Sequence, residues 1–156
     1  MSDFKDMQRR WAQPGRLEWI GLRPEKFAPM QLVTGATITV AGLDGDLSKA
    51  GKRAVTLIQG EHLAVIGAML GRDAIAPEIL RRNLVVTGIN LTALRGRRVQ
   101  IGAAEVEVTT LCAPCSRMEM ALGSGGYSAM RGHGGWCAQV VTQGDISLGD
   151  EILPSN

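Results

Sequence analysis

Apolar positions along this chain recur with two periods, and the shorter one dominates. Leu17-Glu18-Trp19-Ile20-Gly21-Leu22 reads as a strand that ends at Pro24. Thr37-Ile38-Thr39-Val40 is another, closed by the turn-rich Gly42-Leu43-Asp44-Gly45-Asp46. Arg53 to Ile58 is rich in β-forming residues. Helical spacing then takes over: Leu63, Ile66, Met69 and Leu70 predict a helix stopped at Gly71, and Pro77 opens a second helical turn through Leu80. Strands resume over Asn83–Thr87, Arg97–Ile101, Ala104–Leu111, Trp136–Thr142 and Gly149–Leu153. In Ala104–Leu111, Val106 and Val108 alternate with Glu105, Glu107 and Thr109, as in a half-exposed strand. Ser116-x-x-Glu119 has the form of a capping box opening a short helix, with Gly123 as its stop. Strands in this number with two or three short helices predict a mainly-β barrel with helical insertions. The expected organisation is one domain over 16–156, preceded by a flexible N-terminal arm over 1–15.

Composition narrows the function. A net charge of +2 is too small for a general nucleic-acid or membrane-surface binder. An aromatic content of 4% argues against a base-stacking surface. The sequence around Met1–Asp6 lacks the apolar core of a signal peptide, and the longest nearly apolar stretch, Leu63–Leu70, is too short to span a membrane. Three cysteines, an odd count, fit a reducing cytoplasm better than a disulfide framework. Thirteen of the 17 basic residues are arginine, whose planar fork suits phosphate or carboxylate, although coding bias produces the same excess.

Candidate chemistry centres on Cys112-Ala113-Pro114-Cys115, directly before the predicted capped helix. A thiol at that end of a helix, with Arg117 two residues on, is biased toward thiolate, the form that attacks and that ligates soft metals. Three uses compete with an inert buried pair. A thioredoxin-type redox pair lacks the expected βαβ surroundings. A zinc site would take Cys112, Cys115, His133 and Cys137 in a C-x2-C-x17-H-x3-C spacing. The third is one cofactor-ligating thiolate, Cys115, with Cys112 as its neighbour. Arg53, Arg81, Arg82, Asn83, Arg117, Arg131 and His133 are the candidate anion-binding residues; Gly132-His133-Gly134-Gly135 can add backbone N–H groups.

The ordered set Gly42–Asp46, Arg53–Ile58, Arg81–Gly88, Gly96–Gly102, Cys112–Met118, Gly132–Gly135, Gly144–Ile146 and Gly149–Asp150 resembles the MOSC family, named for the C-terminal domain of molybdenum cofactor sulfurases. The resemblance spans residues 15–153. It implies a barrel like the pyruvate-kinase β-barrel that binds the molybdopterin form of the molybdenum cofactor. It also implies that Cys115 is the metal ligand or the sulfur carrier, with the arginines and Asn83 around the pterin phosphate. No pyridoxal phosphate is expected, since the four lysines sit in no Schiff-base context. The expected activities are reduction of N-hydroxylated compounds with electrons from a separate protein, or delivery of persulfide sulfur to a client molybdoenzyme. A zinc-stabilised structural barrel is the remaining alternative.

Overall fold

The computed structural model describes residues 3–155. Its strands are β1 (Gly15–Leu22), β2 (Gln31–Val33), β3 (Gly35–Thr39), β4 (Gly42–Leu43), β5 (Val55–Gln59), β6 (Leu84–Thr87), β7 (Arg98–Ile101), β8 (Ala104–Leu111), β9 (Trp136–Thr142), β10 (Gly144–Ser147) and β11 (Glu151–Pro154). Its helices are α1 (Phe4–Gln8), α2 (Glu61–Met69), α3 (Pro77–Leu80), α4 (Ser116–Leu122) and α5 (Gly126–Met130), with a 3₁₀ turn at Leu91–Leu94.

Seven strands close into a barrel in the order β1-β6-β5-β9-β8-β7-β11, with β11 returning to β1. Closure removes the unpaired edges that an open sheet would leave. All neighbours are antiparallel except β5 and β6, which run parallel and are joined through α2 and α3, the long connection that parallel strands require. β2 extends β1, and β10-β3-β4 form a separate small sheet.

Strand periodicity explains where the two cores lie. β7 and β8 alternate buried and more exposed positions, so they face water on one side. β5 is buried throughout and β6 nearly so, because helices cover their outer face. Leu57, Leu84 and Val86 point into the barrel among Leu17, Ile38 and Ile101. Ile58 and Val85 point outward, against Ile66, Leu80, Met118, Leu122 and Met130 of the helical layer. Successive side chains of one strand thus serve different cores, as a period of two requires.

The segment expected as a flexible arm carries α1, whose first turn is capped by Asp3 accepting from the Asp6 N–H at 2.9 Å. Further along, the Arg97 guanidinium lies 5.6 Å from the Trp11 ring centroid. The predicted capping box needs correction. Ser116 is the first helical residue of α4, Cys115 is the N-cap, and no side chain caps that end. Glu119 instead reaches forward and accepts from the N–H groups of Gly125 (3.1 Å) and Tyr127 (2.9 Å). The glycine-containing stretch after Gly123 thus forms α5, capped by a carboxylate from the preceding helix.

Candidate functional site

β8 and β9 place the cysteines. Their register slips between Val108 and Leu111, then resumes with Leu111 opposite Trp136. Past that point the Cys112 N–H donates to the Gly135 carbonyl at 2.9 Å. Gly135 is at φ +90°, and a Cβ there would strike the Leu57 carbonyl, so only glycine lets the chain pass this close to β5. The segment Leu111–Ala113 consequently forms a wall between two cavities. One, of about 240 Å³, is lined by Arg23, Arg53, Thr56, Cys112 and Cys137. The other, of about 190 Å³, holds Pro114, Tyr127, Arg131 and Gly134.

Cys112 and Cys137 both line the first cavity. The hydrogen bond from Cys137 lowers the Cys112 pKa, and Arg82, Arg23 and Arg53 pull it further down against the cost of burial. That same bond, with burial, raises Cys137. Of the two thiols, Cys112 is the one biased toward thiolate, near three guanidinium groups. Cys115, three residues on, is exposed at the N-cap of α4.

The arginines divide into two kinds. Arg82 is buried; it donates from Nε to Gly134 O (2.8 Å), from Nη1 to Leu80 O (2.9 Å) and from Nη2 to Cys112 O (3.3 Å). Arg81 is the C-cap of α3 in the left-handed conformation, φ 58°, which turns these two neighbours apart. Its guanidinium donates to the carbonyls of Ala28 and Glu25. Burial lowers the Arg81 pKa, and repulsion from Arg117 and Arg23 lowers it further. Arg117 also lies over Phe27, 4.6 Å from the ring centroid. Arg53 and Arg131 are exposed, on the rims of the first and second cavities.

Among the described residues, Arg23–Asp46 is the one ion pair in which any of these arginines takes part. Asp46 has a fully buried carboxylate, which accepts from Arg23 N (2.6 Å), Arg23 Nη2 (2.9 Å), Ser48 N (3.1 Å) and Asn83 Nδ2 (3.1 Å). Asn83, itself fully buried, also accepts from Thr56 N and Oγ1 and donates to Gly21 O. Both Arg82 and Asn83, expected to touch an anion, thus direct their polar atoms at protein partners.

Burial pushes the Asp46 carboxyl up, but Arg23 and Ser48 outweigh it and hold its pKa below the ordinary value. A depressed carboxyl contributes stability that is fully present above the unfolded-state pKa of about 3.9 and is lost as pH falls through the lower folded value. Asp46→Asn should therefore cost about 2 kcal/mol at pH 7, the scale of a hydrogen bond to a charged group. The loss should shrink toward zero in urea melts repeated below pH 4. An equal loss at pH 7 and pH 3 would exclude this role.

Sequence reasoning missed two residues. Arg23 was hidden because its partner Asp46 lies in a distant turn, and nothing in the local sequence marks the pairing. His62 is the other: His133 turns toward it, and neither histidine lines the thiol cavities. Among the described residues, no three His, Cys, Asp or Glu side chains gather as metal ligands. The zinc set Cys112, Cys115, His133 and Cys137 is therefore not assembled. No helix among them is long and apolar enough to cross a membrane.

The MOSC domain family matches the chain over residues 24–153. No curated protein matches it in sequence. Among solved structures, the YUAD protein from Bacillus subtilis is 21% identical with a TM-score of 0.79, covering 92% of this chain and 97% of its own. YiiM from Escherichia coli is 21% identical with a TM-score of 0.72, covering 90% of this chain and 70% of its own. YiiM from Geobacillus stearothermophilus is 17% identical with a TM-score of 0.76, covering 92% and 76%. At these identities the likeness establishes the barrel fold.

Proposed function

The chain belongs to the MOSC domain family, and from that premise we propose that it binds the molybdopterin form of the molybdenum cofactor, holds the metal through Cys115, and reduces N-hydroxylated compounds with electrons from a separate protein. The observation that carries this reading is the unbalanced positive charge around the Cys112–Cys115 segment. Arg53, Arg81, Arg82 and Arg117 have no carboxylate partner among the described residues, and Arg23 has one.

The residues fit the group. Arg23 and Arg53 line a cavity with Cys112, a thiol biased toward thiolate, at its wall. Forked cations suit a phosphate dianion, and an exposed thiol suits a soft metal. Arg53 and Arg131, both exposed on cavity rims, are the arms free to engage phosphate. Arg82, spent on three carbonyls, holds the walls in place and adds charge. The cofactor supplies the redox chemistry when bound, while the protein binds and orients it.

The exposure of Cys115 favours a second reading, in which it carries persulfide sulfur to a client molybdoenzyme. One experiment separates the two: elemental analysis of protein made in a host with active molybdopterin synthesis. Near-stoichiometric molybdenum is expected. Protein free of molybdenum but heavier by one sulfur on Cys115 would replace the reductase by the carrier, and zinc bound through the cysteines would remove both.

A further inference from the structure

Two non-glycine residues among those described have positive φ, Phe27 at 71° and Arg81 at 58°. They are linked. Phe27 sits in the loop between β1 and β2, and the Arg81 guanidinium donates to the carbonyls of Glu25 (3.2 Å) and Ala28 on either side of it. The Ala28 N–H closes the same turn onto Glu25 O at 3.3 Å. The ring held in this way is 72% exposed. Arg117, in the first turn of α4 and two residues after Cys115, places its guanidinium carbon 4.6 Å from the ring centroid. Lys26 Nζ stands 5.3 Å from the same centroid. Building on the reductase reading, we propose that Phe27 is a positioning residue of the thiol site: its ring holds the Arg117 guanidinium ready to bind a carboxylate carried by the N-hydroxylated substrate.

Stability does not explain the loop. A bulky residue rarely takes a left-handed conformation, because its Cβ crowds the backbone. Such strain persists where the surroundings enforce it, and the two Arg81 hydrogen bonds do so here. Little is returned for it. An exposed ring gains almost no burial, and a cation–π contact in water is worth less than strain of this kind costs. Glycine or asparagine would fill the same turn with less strain. What phenylalanine adds at this position is the ring, and the ring lies against Arg117.

That contact leaves the chemistry of Arg117 available. A cation over an aromatic ring engages the ring's face, while the guanidinium N–H donors lie in their own plane and project as a fork. Among the described residues no carboxylate pairs with Arg117. Its neighbours cannot stand in for it: Arg81 donates to the Glu25 and Ala28 carbonyls, and Arg23 to Asp46. One free fork matches the two oxygens of a carboxylate, and Lys26 adds positive charge beside it. A side chain already held against a ring has given up much of its rotamer freedom, so binding does not bear that entropy again.

The test titrates benzoate into the full chain purified from a molybdopterin-producing host, and follows the Arg117 Nε–H resonance, identified by its loss in Arg117→Met. A saturable shift of that resonance is expected in the wild type, and no benzoate binding in Arg117→Met. Phe27→Asn frees the guanidinium and suits a left-handed turn. It should bind benzoate about five- to tenfold more weakly, the effect of ordering one long side chain anew. It should melt no lower than the wild type, a pair of results that a merely structural residue would not give. Phe27→Tyr should restore the affinity, since its ring also receives a cation. Absence of the shift in the wild type, undiminished binding in Phe27→Asn, a melting temperature that falls with binding in that variant, or loss of benzoate in Arg53→Met would each overturn the role. So would displacement of benzoate by equimolar inorganic phosphate, which would give Arg117 to the cofactor's phosphate instead. Molybdenum content of the same sample reports on the reductase and benzoate on this contact, so the two readings can fail separately.

Discussion

Cys115→Ser should be purified from a molybdopterin-producing host with its molybdenum reduced on the order of 100-fold, and with reductase activity reduced in proportion. Losing an outer-sphere partner of a metal ligand already costs about 10–100-fold. Replacing a thiolate by a hydroxyl removes the ligand atom and its charge. The fold should be indifferent to the change: Cys115 is exposed and its side chain caps nothing, so stability should stay within about 0.5 kcal/mol. Cys112→Ala is the informative companion. Cys112 lines the cavity with Arg23 and Arg53, so its loss should alter the cavity yet leave the metal bound. Molybdenum retained in Cys115→Ser and lost in Cys112→Ala would move the ligand to Cys112. That inversion is a real alternative outcome, because Cys112 is the thiol the arginines act on.

The barrel was legible wherever one period ruled a long enough stretch. Ala104–Leu111 coincides with β8 to the residue, because a half-exposed strand writes its alternation directly into sequence; Trp136–Thr142 coincides with β9 on its β-forming residues, without alternating burial. The cores on either side of β5 were not legible. Arg53–Ile58 carries no clear alternation, and which side chains face the barrel and which face helices depends on α2 and α3 lying over it. α5 was missed because Gly125 and Gly126 are poor helix formers, and because its cap, Glu119, belongs to the preceding helix. The motif Ser116-x-x-Glu119 has the spacing of a capping box, and tertiary structure gave its glutamate another task. At the site, the cysteine segment and the arginine excess could be read from the chain. What each polar group touches could not: Asn83 and Arg82 turn to protein partners, and the pairings Arg23–Asp46 and His62–His133 depend on contacts across the fold.

Arg82→Met should be the most destabilising exchange among the site's arginines, at roughly 3–4 kcal/mol. Three donors of one buried guanidinium satisfy the carbonyls of Gly134, Leu80 and Cys112, which belong to three different segments. Hydrogen bonds to a charged group contribute about 1.5–3 kcal/mol each, and buried acceptors left bare cost about 1–3 kcal/mol; relaxation and entering water return part of that. Methionine keeps much of the stem's packing, so the loss measures the hydrogen bonds rather than a cavity. Arg53→Met, at an exposed position, is the control and should change stability by about 0.5 kcal/mol or less. In urea the Arg82→Met midpoint should fall with an unchanged slope, and amide exchange should accelerate first at Gly134 and Gly135. The variant also removes a positive charge that lowers the Cys112 pKa, so the pH at which that thiol begins to react with an alkylating agent should rise. A different result would give Arg82 a different role. If Arg82→Met is as stable as Arg53→Met, and instead loses cofactor affinity more steeply at high salt, then the guanidinium holds phosphate. The carbonyl contacts would then be incidental to binding, since a screened Coulombic contact is what salt weakens.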